Sequence, residues 1–180
     1  MSLYRMALEE LGAVADAIDP AAVEAACAMI AHAGAIVGYG CGREGLQLRG
    51  LVMRLHHLGL RVAMQGDMAA PPLGRGDLLM CSAGPGELST VTALMRVARG
   101  AGADVLLLTA EPDAAPPLAT QMLVIPAQTM ARDAGGASLL PMGSLYEGAM
   151  FLLCEVMVLR LRDMRGESAA SMRARRTNME

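Results

Sequence analysis

Helical spacing of apolar residues alternates along this chain with short runs in which nearly every residue is apolar. These runs are bounded by glycine, proline or charged residues, and they predict strands at residues 35–40, 61–65, 77–82, 104–109 and 122–126. Helical spacing predicts helices at residues 3–18, 20–33, 43–58, 87–99, 142–163 and 167–175, with a short helical turn at 116–120 and a loop at 127–141. Apolar strands that alternate with helices indicate a parallel sheet covered on both faces. We therefore predict an α/β fold, a three-layer αβα sandwich.

The length of 180 residues fits one domain, with too little chain for two cores. Within this single domain, 1–180, we assign residues 1–34 to N-terminal helices, 35–127 to the sheet core, and 142–180 to C-terminal helices and a tail. Hydrophobic residues make up 54% of the chain but aromatic residues only 2%, so Ala, Leu, Val and the 16 Met must fill the core.

The charged residues narrow the classes of function. The net charge of -3 and the scarcity of aromatic side chains argue against a nucleic-acid partner. All 15 basic residues are Arg, which excludes chemistry that needs a lysine, such as a Schiff base or a P-loop. Arg is then the only strong cation available for a phosphate group.

The cysteines and the longest apolar run indicate a cytoplasmic protein. Cys27, Cys41, Cys81 and Cys154 lie far apart without metal-ligand spacing, so we expect reduced thiols and no bound metal. Glu155 interrupts the apolar run 148–161, which is shorter than the roughly 20 residues that span a bilayer. We predict no membrane segment.

A glycine-rich turn follows the first predicted strand. Gly40, Gly42 and Gly45 match the spacing of a dinucleotide-binding loop, with Asp67 at a suitable distance to meet a ribose. Such a turn can also hold another phosphate ligand at the helix N-terminus, or it can be a structural turn alone. The three readings stay open on this motif.

Several further motifs in a fixed order resemble one family. Residues 40–46 (GCGREGL) and 53–59 (MRLHHLG) resemble the G-x-G-R-S-G-L and M-R-L-x-H-L-G runs of 6-phospho-3-hexuloisomerases, which are sugar isomerase (SIS) domain proteins. Residues 141–147 (PMGSLYE) and 175–180 (RRTNME) resemble later runs of the same family. The similarity is collinear and extends from about residue 35 to the end of the chain.

The resemblance implies a five-stranded parallel, flavodoxin-like sheet and a homotetramer. It also implies isomerisation of a sugar phosphate, 6-phospho-3-hexulose to fructose 6-phosphate, through an enediol and without metal or organic cofactor. Glu147 occupies the position of the family's glutamate and would be the base. His57 occupies the histidine of M-R-L-x-H-L-G and would assist proton transfer or bind a hydroxyl. The alternatives for Glu147 are a favourable interaction with the helix dipole at the N-terminus or an ion pair at an interface. The alternative for His57 is a packed or surface histidine without a role in the site.

The resemblance implies that hydroxyl groups of the two glycine-rich loops bind the phosphate, but both loops of this chain differ from the family pattern. Glu44 replaces a serine of the first loop, and Ala83, Pro85 and Leu88 replace hydroxyl residues of the second loop, I-S-G-S-G-E-T. We expect the substrate to contact residues that remain in or beside the two loops: Gly42, Arg43, Glu44, Ser82, Gly84, Gly86, Glu87, Ser89 and Thr90.

Three functions are consistent with these residues. The first is an isomerase of ketose phosphates. The alternative is a non-catalytic sugar-derivative binder or regulatory module that has lost phosphate binding, and the third is a nucleotide-binding protein. The long helix after Gly148 is apolar nearly all round and predicts a homo-oligomer, with Met150, Phe151, Met157 and the polar tail near other subunits.

Overall fold

Five parallel strands form the centre of the computed structural model, which describes residues 1–132 and 138–179. They are β1 (Ile36–Gly40), β2 (Val62–Met64), β3 (Leu78–Ser82), β4 (Asp104–Thr109) and β5 (Gln121–Val124). Their order across the sheet is β2-β1-β3-β4-β5. This order confirms the predicted α/β fold with a five-stranded, flavodoxin-like parallel sheet.

Six α-helices surround the sheet in the described part of the chain. They are α1 (Leu3–Ala17), α2 (Pro20–His32), α3 (Gly42–His57), α4 (Ser89–Gly100), α5 (Ser144–Met164) and α6 (Ala169–Ala174). Residues 133–137 of the predicted loop and Glu180 of the predicted tail lie outside the described residues.

Among the predicted elements that differ from the structure, three differ for identifiable reasons. Helix α5 begins two residues late because Met142 and Gly143 have left-handed φ angles of 55° and 81°, which no helix accommodates. Helix α4 begins at Ser89 because Leu88 before it is extended. The short helical turn lies at Pro112–Ala114 instead of 116–120, where the Thr120 hydroxyl accepts a hydrogen bond from the backbone of β4.

Side chains of the strands point alternately into two apolar layers. Ile36, Leu78 and Leu106 pack with α2, α3 and α5 on one face, in a cluster that α1 extends. Val37 and Leu79, one position further along their strands, pack with α4 on the other face. This alternation explains why the strands are apolar throughout.

Strand order reverses between β1 and β3, so the loops that leave these two strands diverge to opposite faces. A crevice opens at such a point, beyond the carboxyl ends of the strands. The turn from β1 into α3 is tight, and a Cβ atom at Gly45 would collide with the backbone of Gly40. The first glycine-rich motif therefore brings the start of α3 against the edge of the sheet.

Helix α5 is buried on one side and exposed on the other. Met150 and Met157, which we expected near other subunits, are fully buried in the core of their own chain. Phe151 is 52% exposed, and Leu152, Val156 and Leu159 are also exposed on this helix. None of the described helices combines the length and the apolar character needed to cross a membrane.

We predict opposite effects of alanine at two glycines of α3. Gly45→Ala should lower the free energy of unfolding by about 1–3 kcal/mol, because the new methyl group overpacks against the backbone of Gly40. Gly50→Ala, whose Cβ meets no atom within 4 Å, should raise it by about 0.5–1 kcal/mol through helix propensity. Chemical denaturation measures both, and equal stability of the two variants would contradict the close approach at Gly45.

Candidate functional site

A cleft of about 450 Å³ lies beyond the carboxyl ends of β1 and β3, where the strand order reverses. Four segments line it: the turn into α3, the loop after β3, residues 129–131, and the start of α5. The lining residues are Cys41, Gly42, Arg43, Glu44, Pro85, Leu88, Thr129, Met130, Ala131, Gly143, Tyr146 and Glu147.

The carboxylate of Glu44 reaches from the first turn of α3 to the end of β3. The Ser82 hydroxyl donates a hydrogen bond to its Oε2 atom at 2.5 Å. The backbone N–H of Gly84 donates to both carboxylate oxygens, at 3.0 and 3.2 Å. A side chain of the protein itself therefore occupies a set of donors that could bind an anion.

A buried hydroxyl extends this network. The Tyr146 hydroxyl lies 3.1 Å from the Ser82 hydroxyl, and the tyrosine is 1% exposed. Ser82 has one hydroxyl proton, which it gives to Glu44, so Tyr146 donates to Ser82. The three side chains form a short directed chain that ends on the carboxylate.

Burial dominates the acidities in this network. Burial raises the pKa of Glu44, while the hydrogen bonds from Ser82 and Gly84 oppose the shift. Burial also raises the pKa of Tyr146 well above its usual value, and the nearby Glu44 carboxylate adds to this effect.

Glu147 faces the same cleft from the first turn of α5, and its side chain is 15% exposed. The Arg43 Nε atom lies 2.9 Å from its Oε2 atom. Arg43 also donates to the Ser144 hydroxyl at 2.9 Å and to the Met142 carbonyl at 2.5 Å. Burial raises the pKa of Glu147, the Arg43 charge opposes the shift, and Glu44 raises it further.

His57 lies elsewhere. It is the last residue of α3, and at 1.5 Å per residue it is about 20 Å along the helix from Glu44. There it lines a second cleft, of about 420 Å³, together with Arg54, Arg162 and Arg173. A single chain does not bring the two predicted catalytic residues together.

The remaining predicted contact residues divide into two groups. Gly42, Arg43 and Glu44 line the cleft. Ser82 and Gly84 do not line it but donate hydrogen bonds to the Glu44 carboxylate. The other four predicted residues are not part of its lining: Gly86, Glu87, Ser89 and Thr90.

Each of these four residues has another environment. A Cβ atom at Gly86 would lie 2.7 Å from the Glu111 carbonyl oxygen, so this glycine faces the segment after β4. Glu87, Ser89 and Thr90 are exposed, and the Thr90 hydroxyl lies 3.3 Å from the Cys41 sulfur.

Two polar residues of the cleft, Tyr146 and Thr129, were not among the predicted site residues. Tyr146 is one of only three tyrosines, and it precedes Glu147 at the start of an apolar helix. A tyrosine buried at such a position needs a hydrogen-bond partner for its hydroxyl, and this requirement could have indicated a polar site. Thr129 is 3% exposed, and its hydroxyl has no hydrogen-bond partner among the described residues. Thr129 ends the run 125–129 (IPAQT), which also resembles the family, but that resemblance did not mark it as a site residue.

The geometry gives little support to the hypothesis that the glycine motif binds a nucleotide. The Asp67 carboxylate accepts a hydrogen bond from the backbone N–H of Met64 at 2.9 Å and so closes the turn after β2. Glu44 places a carboxylate where a pyrophosphate would meet the N-terminus of α3. In the described part of the chain, no cluster of three His, Cys, Asp or Glu side chains could hold a metal ion.

The raised pKa of Glu44 predicts a pH-dependent stability. Since the unfolded carboxyl ionises first, the contribution of Glu44 to stability falls as pH rises from the ordinary pKa of 4.5 through the folded value. The melting temperature of the wild type minus that of Glu44→Gln should therefore decrease between acidic and neutral pH.

Glu167 provides a matched contrast, because its hydrogen bonds with Arg175 and Ser171 lower its pKa to about 2. Its contribution is complete above the ordinary pKa and is lost as pH falls towards the folded value. The difference between wild type and Glu167→Gln should then increase as pH rises over the same range. Parallel trends for the two variants would contradict the burial of an ionisable Glu44.

Comparisons with known proteins identify relatives over the whole chain. No protein-family model matches. A Mycobacterium gastri protein named 3-hexulose-6-phosphate isomerase is 33% identical over 181 residues, covering 100% of this chain and 89% of that relative. This similarity agrees with the motifs in the sequence.

Two solved structures illustrate the shared fold. A Methanococcus jannaschii protein, whose crystal structure was taken to infer a function of 3-hexulose-6-phosphate isomerase, has a TM-score of 0.83 at 17% identity and covers 98% of both chains. The Vibrio vulnificus NanR protein complexed with ManNAc-6P has a TM-score of 0.76 at 23% identity, covering 96% of this chain and 65% of its own. With a sugar isomerase (SIS) fold and a relative that matches over its full length, this chain belongs to the 3-hexulose-6-phosphate isomerase family.

Proposed function

We propose that this protein is an isomerase that shifts the carbonyl group along a sugar derivative through an enediol, as expected from a relative named 3-hexulose-6-phosphate isomerase. The observation that carries the proposal is Glu147, a mostly buried carboxylate that faces the cleft beside the Arg43 guanidinium. The cleft lies at the topological switch point of the sheet, where α/β proteins bind their ligands.

The proposed reaction needs a base and a cation near the reacting carbons. Glu147 removes the proton from the carbon beside the carbonyl and returns it to the former carbonyl carbon, while a hydroxyl proton moves between the two oxygens. A raised pKa brings the carboxyl closer to the working pH of such a base. The Arg43 guanidinium has five N–H groups, its three contacts use three of them, and another can stabilise the enediolate oxygen.

His57 would take part only if a second copy of the chain supplies it, because within one chain it is about 20 Å from the cleft.

The exposed apolar side of α5, with Phe151 and its exposed neighbours, supports a homo-oligomer, and we propose the homotetramer that the family resemblance implies. We also propose a cytoplasmic location, as the wide spacing of the four cysteines along the sequence predicts.

Replacing the proposed base tests the reaction. Glu147→Gln should lower kcat by about 10²–10⁴-fold, the usual contribution of a general base, with a much smaller change in ligand affinity. Glu9→Gln, at an exposed glutamate of α1 paired with Arg5, removes the same charge away from the cleft and should leave kcat unchanged. Conversion of ketose phosphates and free ketoses by purified protein provides the assay, and full activity of Glu147→Gln would contradict the proposal.

Mixed subunits test the proposed origin of His57. His57→Ala and Glu147→Gln should each be inactive alone. Co-assembly in equal amounts should restore about a quarter of the wild-type activity, because that fraction of sites receives both native residues from different copies. An active His57→Ala protein, or a mixture that stays inactive, would remove His57 from the site.

A non-catalytic sugar-derivative binder is the second candidate. The observation that favours it is Glu44, which occupies hydrogen-bond donors in the loop where the family pattern places phosphate-binding hydroxyls. A ligand that binds without turnover, with equal affinity for wild type and Glu147→Gln, would favour this function over isomerisation.

A further inference from the structure

The end of β3 presents a small set of donors that converge on one anion. The Ser82 hydroxyl and the Gly84 N–H both donate hydrogen bonds to the Glu44 carboxylate. The Tyr146 hydroxyl in turn donates a hydrogen bond to the Ser82 hydroxyl. Ser82 is fully buried, and Tyr146 nearly so. An incoming phosphate would have to displace the protein's own carboxylate to reach these donors.

The charge of the cleft also opposes an anionic ligand. Glu44 and Glu147 each add a negative charge when ionised, and Arg43 is the only positively charged side chain among the lining residues named above. Its guanidinium is already paired with Glu147 at 2.9 Å. Pro85 and Leu88 contribute apolar surface beside Glu44. Among the described residues of the lining, a phosphate dianion would therefore meet an excess of negative charge in a partly dehydrated site.

The same cleft offers partners to a neutral hydroxyl group. Each carboxylate oxygen accepts about two hydrogen bonds. The Glu44 Oε1 atom can therefore accept further donors, since among the described residues it accepts only from the Gly84 N–H. The buried Thr129 hydroxyl, without a partner among the described residues, can donate to or accept from a ligand on the cleft wall. Sugar hydroxyls supply both donors and acceptors.

We propose that Glu44 is a specificity-determining residue, and that this cleft selects a sugar whose end at this position carries a hydroxyl group instead of a phosphate. The proposal rests on the proposed function in one respect, since it assigns the ligand to the same cleft. It extends that function by naming the substrate class as unphosphorylated ketoses or closely related neutral sugars.

Matched ligand pairs test the selectivity. D-fructose with D-fructose 6-phosphate, D-ribulose with D-ribulose 5-phosphate, and inorganic phosphate are titrated at pH 8 into wild type, Glu44→Ser and Glu44→Ala. We expect wild type to bind at least one free sugar about tenfold or more tightly than its phosphate ester, and to show no response to inorganic phosphate. Both variants should gain about tenfold or more in affinity for the phosphate esters, because the Ser82 and Gly84 donors become available.

Three results would overturn the proposal: tighter binding of the phosphate esters by wild type, no gain of phosphate binding in either variant, and no binding of any free sugar by wild type. Glu9→Gln, which lowers the negative charge equally but far from the cleft, should behave as wild type. Two variants are used so that a folding defect of one, detected as a lost thermal transition, leaves the other to decide.

The assay for turnover separates this proposal from the proposed function. If wild type converts ketose phosphates in preference to free ketoses, the isomerase function stands and the selectivity assigned to Glu44 fails. If wild type binds free sugars selectively but converts none of them, the selectivity stands and the isomerase function fails.

Discussion

The hydrogen bonds that Glu44 accepts from Ser82 and Gly84 hold the cleft together. They join the first turn of α3 to the loop after β3, across the point where the strand order reverses. Without the carboxylate, Ser82 and the Gly84 N–H would be buried without their strongest partner, at a cost of about 1–3 kcal/mol for each unsatisfied group. The buried Tyr146 hydroxyl depends on the same chain, so the start of α5 is also positioned by this contact.

Arg43, the preceding residue, makes the complementary connection. Adjacent residues of an α-helix point about 100° apart, so two neighbouring side chains of one turn can reach different elements. Glu44 turns towards β3, whereas Arg43 turns towards α5 and contacts Ser144, Glu147 and the Met142 carbonyl. One turn of α3 thus fixes the relative positions of a strand end and a helix start, and it places opposite charges on the two sides of the cleft. The left-handed backbone at Met142 brings its carbonyl into range of the guanidinium.

Much of this architecture could be predicted from the sequence, because it depends on local patterns. The five strands follow from apolar runs, and the tight turn at Gly45 follows from the glycine spacing. Arg43, Glu44 and Glu147 were placed at the site on the resemblance alone, and they do line one cleft. The hydrogen bond between Ser82 and Glu44 could not be predicted from the sequence, because it depends on the side-chain geometry of two residues that are 38 positions apart. His57 and Glu44 lie near opposite ends of one predicted helix, so helical rise alone already separates them by about 20 Å, but the family resemblance placed both residues at one site.

The residues of the two loops that differ from the family pattern are explained better as one coordinated change than as separate substitutions. Glu44 replaces a serine of that pattern, and Ser82, its hydrogen-bond donor, stands where the aligned run has an isoleucine. A buried carboxylate introduced alone would lack a donor, and a buried serine introduced alone would lack an acceptor, so each residue removes the energetic penalty of the other. The loss of hydroxyls at Ala83, Pro85 and Leu88 fits the same change, because donors for a phosphate have no use where a carboxylate already occupies the loop. Random decay of a phosphate site would leave the former phosphate donors without an acceptor. Instead, Ser82 and the Gly84 N–H both donate to Glu44, and this pairing supports the proposed change of ligand.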